Sequence, residues 1–309
     1  MKKKISVCVV TYNAEGTVVE LLSSILNQDY GVNNIELIIG DDSSDDNTTK
    51  LISEWLRENR AFFYNVLFIK NIENLGVTKN INNIWRKSTT DWIKTIAGDD
   101  VLLSNCISSF VNYSDVNPEA NIIFSDYRLL EGEELKNSNL LKGIFYSESD
   151  SQYENLLVSN HFPAITSFIS TKCLKKHGYC DESYSKFEDY PLWVKLMKSG
   201  ERFYFLDTET VIYRKDESVS FSNIRLINRA YKEELLKFRK QMPKPKKLVN
   251  KILAREECLK IKIELVVSRF FSNRKSRFSS FVLSLFKVLF RPVSICLIIC
   301  NKFKREGRF

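Results

Sequence analysis

A chain of 309 residues with 44% hydrophobic and 27% charged side chains has room for one large or two ordinary domains around a buried core, which excludes a low-complexity or repeat protein. Its net charge of +8 is uneven: residues 1–243 sum to −5, whereas Lys244 to Phe309 hold 17 Lys or Arg against 4 Glu. Seven scattered cysteines form neither a CxxC zinc pattern nor a disulfide framework, which points to a reducing, cytosolic setting, and Met1-Lys2-Lys3-Lys4 leads into an apolar run too short for a secretion signal.

In chain order, Ile5 to Val10 is a nearly continuous apolar run that stops at Thr11-Tyr12-Asn13, the pattern of a strand buried on both faces. Val18, Leu21, Leu22, Ile25 and Leu26 then fall at helical spacing, and Ile35 to Ile39 is a second buried strand ending at Gly40-Asp41-Asp42. Strand, helix, strand with polar residues at each strand end opens a doubly wound α/β domain, so Tyr12 and Asp42 should face one crevice. A helix is predicted over 49–59 and a third strand over 62–69, after which Asn74-Leu75-Gly76 turns into a helix bearing Ile81, Ile84 and Trp85. Free N–H groups at its start, with Lys79 beside them, offer a phosphate contact.

Trp92 to Ile96 is the strand on which the chain is centred, because it delivers Gly98-Asp99-Asp100. Ligands in an open α/β sheet sit outside the carboxyl ends of the strands, and adjacent side chains in extended backbone diverge, so the two acids should divide their roles. The pair fits either a hard divalent cation on phosphate oxygens or a strand-to-helix turn with Asp100 as N-cap. Beyond it, 102–111 reads as helix, 121–124 as strand, 131–152 as a polar loop able to close over substrate, and 161–168 as strand-like with a structural His161. Glu188-Asp189-Tyr190-Pro191 begins a helix whose apolar face is Leu192, Trp193, Leu196 and Met197. Acids at a helix N-terminus are favoured by the dipole alone; the functional alternative has Asp189 taking a proton from a hydroxyl nucleophile.

Val10 to Asn13, Asp41 to Thr48, Asn74 to Asn82, Gly98 to Asp100 and Glu188 to Trp193 resemble, in that order, the motifs of the inverting family 2 glycosyltransferases, over about residues 4–220. The resemblance implies the GT-A fold, a doubly wound mixed α/β sheet flanked by helices. It also implies hexosyl or N-acetylhexosaminyl transfer from a nucleotide diphosphate donor, by preference a UDP-sugar, to a hydroxyl of a glycan or lipid-linked acceptor in bacterial polysaccharide synthesis. It assigns Thr11, Tyr12 and Asp42 to the nucleotide, with Tyr12 and Asp42 at base and ribose, and Asn74, Gly76 and Lys79 to the shape of the same pocket. Asp99 falls to the donor sugar, Asp100 to Mn²⁺ or Mg²⁺ on the diphosphate and Asp189 to the catalytic base, with Glu188, Arg214 and Lys215 as secondary candidates. In that mechanism the metal stabilises the leaving diphosphate while an acceptor hydroxyl attacks the anomeric carbon from the opposite face. Three features depart from the pattern: Ala97 stands where a first aspartate is common, and Ile81 where an arginine is common. Tyr213-Arg214-Lys215 with Ser218-Val219-Ser220, a loop implied to close over the diphosphate, lacks the usual histidine and leaves Lys215 to neutralise phosphate.

Past this region, 222–240 and 247–268 look helical around a break at Met242-Pro243-Lys244-Pro245. Ser280, Ser284, Lys287 and Arg291 then make one narrow polar stripe on an otherwise apolar helix ended by Pro292, followed by an apolar run from Val293 to Cys300 and by Lys302, Lys304 and Arg305. Such runs fall short of the ~20 residues of a spanning helix. The expected organisation is therefore a catalytic domain over 1–220, a helical extension over 221–271 and a basic amphipathic tail over 272–309. The tail should lie on the anionic inner face of the cell membrane and keep a cytoplasmic enzyme peripheral there; the other reading is a helical hairpin packed on protein. No nucleic-acid motif accompanies the charge, so nucleic acid is not an expected partner. Two other function classes compete: a phospho-acceptor receiver built on Asp41, Asp42, Asp99 and Lys79, and a catalytically inactive nucleotide-binding scaffold of the same fold, suggested by Ala97 and Ile81.

Overall fold

β1 (Ile5–Thr11) and β2 (Ile35–Asp41) are buried along almost their whole length, as continuous apolar runs require when both faces of a sheet are covered. They lie in a computed structural model that describes residues 2–215 and 224–297. The chain forms two units, Met1–Gln152 with His161–Lys215, and Tyr153–Asn160 with Asp216–Phe309. The first unit adds α1 (Val18–Leu26), α2 (Thr48–Asn59), β3 (Asn65–Lys70), α3 (Val77–Trp85), β4 (Trp92–Ala97), β5 (Val101–Leu102), α4 (Cys106–Val116), β6 (Ile122–Glu131) and β7 (Glu134–Asn137). After α5 (Ser149–Val158) come β8 (Ser167–Ser170), α6 (Thr171–His177), α7 (Asp189–Lys198) and β9 (Tyr204–Arg214).

The sheet order is β3-β2-β1-β4-β8-β6-β9-β5, with β7 paired to β6. The first four strands are parallel, β8 runs antiparallel to both neighbours, β6 and β9 are parallel, and β5 is antiparallel to β9. The sheet is therefore mixed, and the parallel half holds the two strand ends singled out above. Against it α1 buries Val18, Leu21, Leu22 and Ile25, the 3.6-residue stripe that the sequence displays. The antiparallel half carries an aromatic cluster in which Phe124 packs within 5.5 Å of Phe162, Trp193 and Phe203. Trp193 also donates its Nε1–H to Phe162 O at 3.1 Å, which fixes α7 and hence the start of that helix at Asp189.

Several elements differ from the sequence expectations. The third strand begins at Asn65 rather than 62, because residues 60–62 form a single tight 3₁₀ turn that brings Phe63 against Trp55. Asp100 caps no helix: Val101–Leu102 pairs with Val211 and Ile212, and α4 starts only at Cys106. Residues 131–152 are not an open loop. They fold back as β7 about Gly132, and Lys142 joins Asp126 at 2.7 Å and Asp207 at 2.6 Å. The expected strand over 161–168 is confined to Ser167–Ser170, after a 3₁₀ turn at Ala164–Thr166.

In the second unit, α8 (Arg229–Gln241), α9 (Leu248–Phe270) and α10 (Arg277–Leu289) surround a small core of Ile227, Ile261, Leu265, Val267 and Leu283. The segments 221–271 and 272–309 of the sequence reading fall together in this unit. Ser218-Val219-Ser220 and Lys302, Lys304 and Arg305 lie outside the described residues. Among the described residues no helix is long and apolar enough to cross a membrane.

Candidate active site

Three parallel strands end side by side, since the register pairs Val10 with both Gly40 and Ala97 and Thr11 with Asp41. Tyr12, Asp42 and Gly98-Asp99-Asp100 therefore follow one another along a single edge of the sheet. Tyr12 is 52% exposed there. Thr11 is buried instead, and its hydroxyl donates to Asp41 Oδ2 at 2.9 Å, an oxygen that Ser44 Oγ reaches at 2.6 Å. Asn13, in the left-handed region at φ 50°, donates its N–H to Ser44 Oγ and accepts from Asp45 N. The loops that follow β1 and β2 are thus tied to each other.

Asp42 has a role that its motif did not reveal. Its Oδ1 accepts from Leu75 N at 2.8 Å and Asn71 Nδ2 at 3.0 Å, and its Oδ2 accepts from Gly76 N at 2.9 Å. Gly76 sits at φ 83°, where an L side chain is strained, and an added Cβ would lie 3.0 Å from Ser185 O. The buried carboxylate therefore holds the turn from which α3 springs, with Asn74 exposed on it and Lys79 exposed one turn further along. From the other side of α3, Thr78 donates to Tyr184 O, and Asn82 exchanges hydrogen bonds with the Cys180 backbone at 2.9 Å. That staple brings α3 next to the segment leading into Glu188-Asp189.

Gly98 is needed where β1 and β4 converge, because a Cβ there would lie 3.0 Å from Ala14 and 3.1 Å from Thr11. Past it the two acids do diverge: Asp100 is buried and Asp99 half-buried. Asp100 Oδ1 accepts from Arg214 N at 2.9 Å, while Oδ2, also buried, has no hydrogen-bond partner. Burial, and then the charge of Asp99, push the Asp100 carboxyl well above the usual range. A bare buried oxygen beside a second carboxylate is the donor set expected for a hard divalent cation, so Asp100, with Asp99 adjacent, fits a metal.

Arg214, a secondary candidate for the diphosphate, is the last residue of β9 and is engaged differently. Its Nε donates to Asp99 O at 3.0 Å and its Nη2 meets Glu20 at 2.8 Å, so it braces the acidic turn. Lys215 pairs with Glu131 at 2.8 Å instead of standing unpartnered for phosphate. Two further groups border the acidic turn, one of them in the Tyr213-Arg214-Lys215 segment and one that the sequence reading missed. Tyr213 has its phenol pushed up to about 12 by burial and by Asp100 and Asp99. Lys94, fully buried on β4, has its ammonium lowered to about 8 by burial and donates to the carbonyls of Ile165 and Ser167. A lone lysine inside the apolar run Trp92 to Ile96 was the only signal of the latter.

Glu188 and Asp189 open onto a cavity of about 110 Å³. Its walls include Val10 and Ala97 from the ends of β1 and β4, Ile81 and Trp85 from α3, and Leu192 and Trp193 from α7. Both residues that depart from the motif pattern, Ala97 and Ile81, thus face the same mainly apolar space. Part of the Glu188 surface borders the cavity, yet protein surrounds its carboxyl closely. That burial, and then the charge of Asp189, raise it above the usual carboxylate range. Asp189 begins α7 and accepts from Tyr190 N at 2.6 Å. The arrangement sets a proton-retaining acid beside a second carboxylate in the wall of a cavity whose lining extends to Ala97, the residue before the acidic turn.

The sequence profile described as Glycosyl transferase family 2 matches residues 6–174, through both acidic strand ends. The chain belongs to glycosyl transferase family 2. This excludes the receiver reading and makes the chain a glycosyltransferase. Among curated relatives, the Campylobacter jejuni GalNAc(5)-diNAcBac-PP-undecaprenol beta-1,3-glucosyltransferase is 24% identical over 230 residues, 74% of this chain and 71% of that protein. The Escherichia coli UDP-Glc:alpha-D-GlcNAc-diphosphoundecaprenol beta-1,3-glucosyltransferase WfaP is 24% identical over 196 residues, 63% of this chain and 71% of that protein. Among solved structures, the mannosyltransferase PcManGT from Pyrobaculum calidifontis, in complex with GDP-Man and Mn²⁺, superposes with a TM-score of 0.60 at 16% identity, covering 94% of this chain and 81% of that one. The mixed sheet with its flanking helices is the GT-A fold.

Proposed function

We infer that this transferase moves a sugar from a UDP-sugar to a hydroxyl of a lipid-linked glycan, with inversion, during bacterial surface polysaccharide synthesis. The observation that carries the reading is the cavity shared by Asp189 and the ends of β1 and β4, adjoining the turn that holds the unpartnered oxygen of Asp100. The E. coli relative supports UDP and a diphosphoundecaprenol acceptor by its name, and the C. jejuni relative supports an undecaprenol-linked one.

The Tyr12 ring offers a face for the base, and the turn held by Asp42, with Asn74, Gly76 and Lys79, shapes the rest of the nucleotide pocket. Mn²⁺ or Mg²⁺ would be held by Asp100 with Asp99 adjacent, and when bound it supplies positive charge against the diphosphate. Asp189 accepts the proton of the acceptor hydroxyl as that oxygen attacks the anomeric carbon, opposite the departing diphosphate. A single displacement inverts the anomeric centre. The apolar walls at Ile81, Trp85 and Leu192 limit water at the reacting carbon, which favours transfer over donor hydrolysis. A lipid-linked acceptor places the enzyme at the cytoplasmic face of the membrane, where the basic second unit would hold it peripherally.

The test is UDP release from a panel of UDP-sugars in the presence of Mn²⁺ and a membrane-lipid acceptor fraction, for wild type and Asp189→Asn. Loss of turnover by about 10²–10⁴-fold, with UDP binding intact, is expected. Full turnover in the variant would contradict the assignment of the base.

A further inference from the structure

The helix α10 is built inside out. A water-facing helix turns its charges outward and its apolar stripe inward. Here the charged side chains of the polar stripe turn toward α9: Lys287 meets Glu264 at 2.9 Å and Arg291 pairs with Glu257. Glu264 is nearly inaccessible and is shared with Lys232 at 2.8 Å. Glu256, also buried, accepts from the backbone N–H groups of Val293 and Ser294 at 2.9 Å. Ser279 and Leu283 complete the inward face.

Past Arg277, what faces solvent is mainly apolar, with Ser284 the polar exception. Phe278, Phe281, Leu285 and Leu289 recur at i, i+3, i+7 and i+11, one line along the helix, and are 66, 63, 45 and 61% exposed. A contiguous patch of this kind marks a surface made for another apolar phase or partner. The capping box of Ser276 and Ser279 fixes the start of α10, and the preceding turn is set by Asn273, whose side chain bonds both polar groups of the Ile227 backbone. The stripe is therefore presented by a defined element.

We propose that the outward stripe of α10 inserts in the interfacial layer of an anionic bilayer, with Arg274 and Arg277 on the lipid headgroups. Charge complementarity selects this occupant. The stretch Lys244 to Phe309 holds 17 Lys or Arg against 4 Glu, and Glu256, Glu257 and Glu264 are taken up by the contacts just described, which leaves a surplus of positive charge to meet an external anion. Arg274 and Arg277 are exposed around the positively polarised N-terminus of α10, where cations are disfavoured unless an anion lies nearby. At 13 residues the helix is too short to span and lies in the plane of the surface.

This surface deepens the membrane location proposed above, and it is tested with vesicles that carry neither donor nor acceptor, so failure of transfer and failure of docking are read separately. The full chain is sedimented with phosphatidylcholine vesicles with and without phosphatidylglycerol. Wild type should bind the anionic vesicles, the pair Phe281→Ser and Leu285→Ser should bind at least about tenfold more weakly, and Arg274→Gln or Arg277→Gln should each cost about fivefold at low salt. UDP binding should be unchanged in all of them. Phe281→Trp, which keeps an aromatic side chain, should show fluorescence above the wild-type background that brominated lipids quench. Undiminished vesicle binding by the serine pair, an unquenched Trp, or a wild-type dimer that the serine pair converts to monomer without altering vesicle binding would each overturn the proposal.

Discussion

Asp42 sits at the strand end where the motif pattern places a nucleotide ligand, yet both of its oxygens are occupied by the turn at Leu75-Gly76 and by Asn71. Asp42→Ala would leave Leu75 N without this acceptor and Gly76 N and Asn71 Nδ2 with only the longer bonds to Asn74 Oδ1 and Asn80 Oδ1, each at 3.2 Å, and hydrogen bonds to a charged group are each worth about 1.5–3 kcal/mol. Because the three share one acceptor group, we expect a loss of about 2–3 kcal/mol in stability by denaturant unfolding, together with weaker UDP binding. An unchanged unfolding midpoint would show that the turn does not depend on the carboxylate. Tyr12, Asp42 and the Asp99-Asp100 pair were legible as a group because each follows an apolar run that only a buried strand explains. The partners of Arg214 were not. Its contacts with Asp100 and Glu20 join residues 114 and 194 positions apart, and nothing in the local pattern near Glu20 reports them. The partner of Lys215 was hidden for the same reason, since Glu131 lies 84 positions away.

Elements with long periodic patterns were read well, and those made by distant pairing were not. The spacing of Val18, Leu21, Leu22 and Ile25 suffices for α1, whereas β5 consists of two residues whose strand character comes from Val211 and Ile212. The hairpin that ends in β7 was taken for a loop because its four residues are all exposed and its ladder is made with β6. In the second unit, glutamates act as clasps between elements. Glu154 accepts from the backbone N–H groups of Lys246 and Lys247 at the start of α9, Glu256 from Val293 and Ser294, and Glu264 is gripped by Lys232 and Lys287. Burial opposes ionisation at all three. At Glu154 the N–H donors outweigh it, at Glu256 the Ser294 hydroxyl and then the N–H donors do, at Glu264 the two ammoniums do, and all three carboxyls are held below the usual range. A folded-state value below the unfolded one contributes stability that is complete above the unfolded value, about pH 4.3, and is lost as the pH falls through the folded value. Helix content on melting should therefore become less stable as the pH drops from about 5 to about 3, and Glu264→Gln should flatten that dependence. A flat profile in wild type would show that the clasps contribute little.

At the scale of the whole molecule, the uneven charge separates a mildly acidic unit that carries the strand-end site from a basic, helical unit that includes α8, α9 and α10. The family is set by the first, and the proposed membrane location is argued from the second. Ala97 and Ile81 leave apolar side chains in the cavity that Asp189 borders, so binding of a nucleotide diphosphate through a cation rests on the remaining acidic turn. Calorimetric titration of the full chain with UDP, with and without Mn²⁺, beside Asp100→Ala, measures this directly. Binding to wild type that requires Mn²⁺ and is lost in Asp100→Ala is the expected result. Absence of UDP binding under every condition, or equal binding by both proteins without metal, would contradict it.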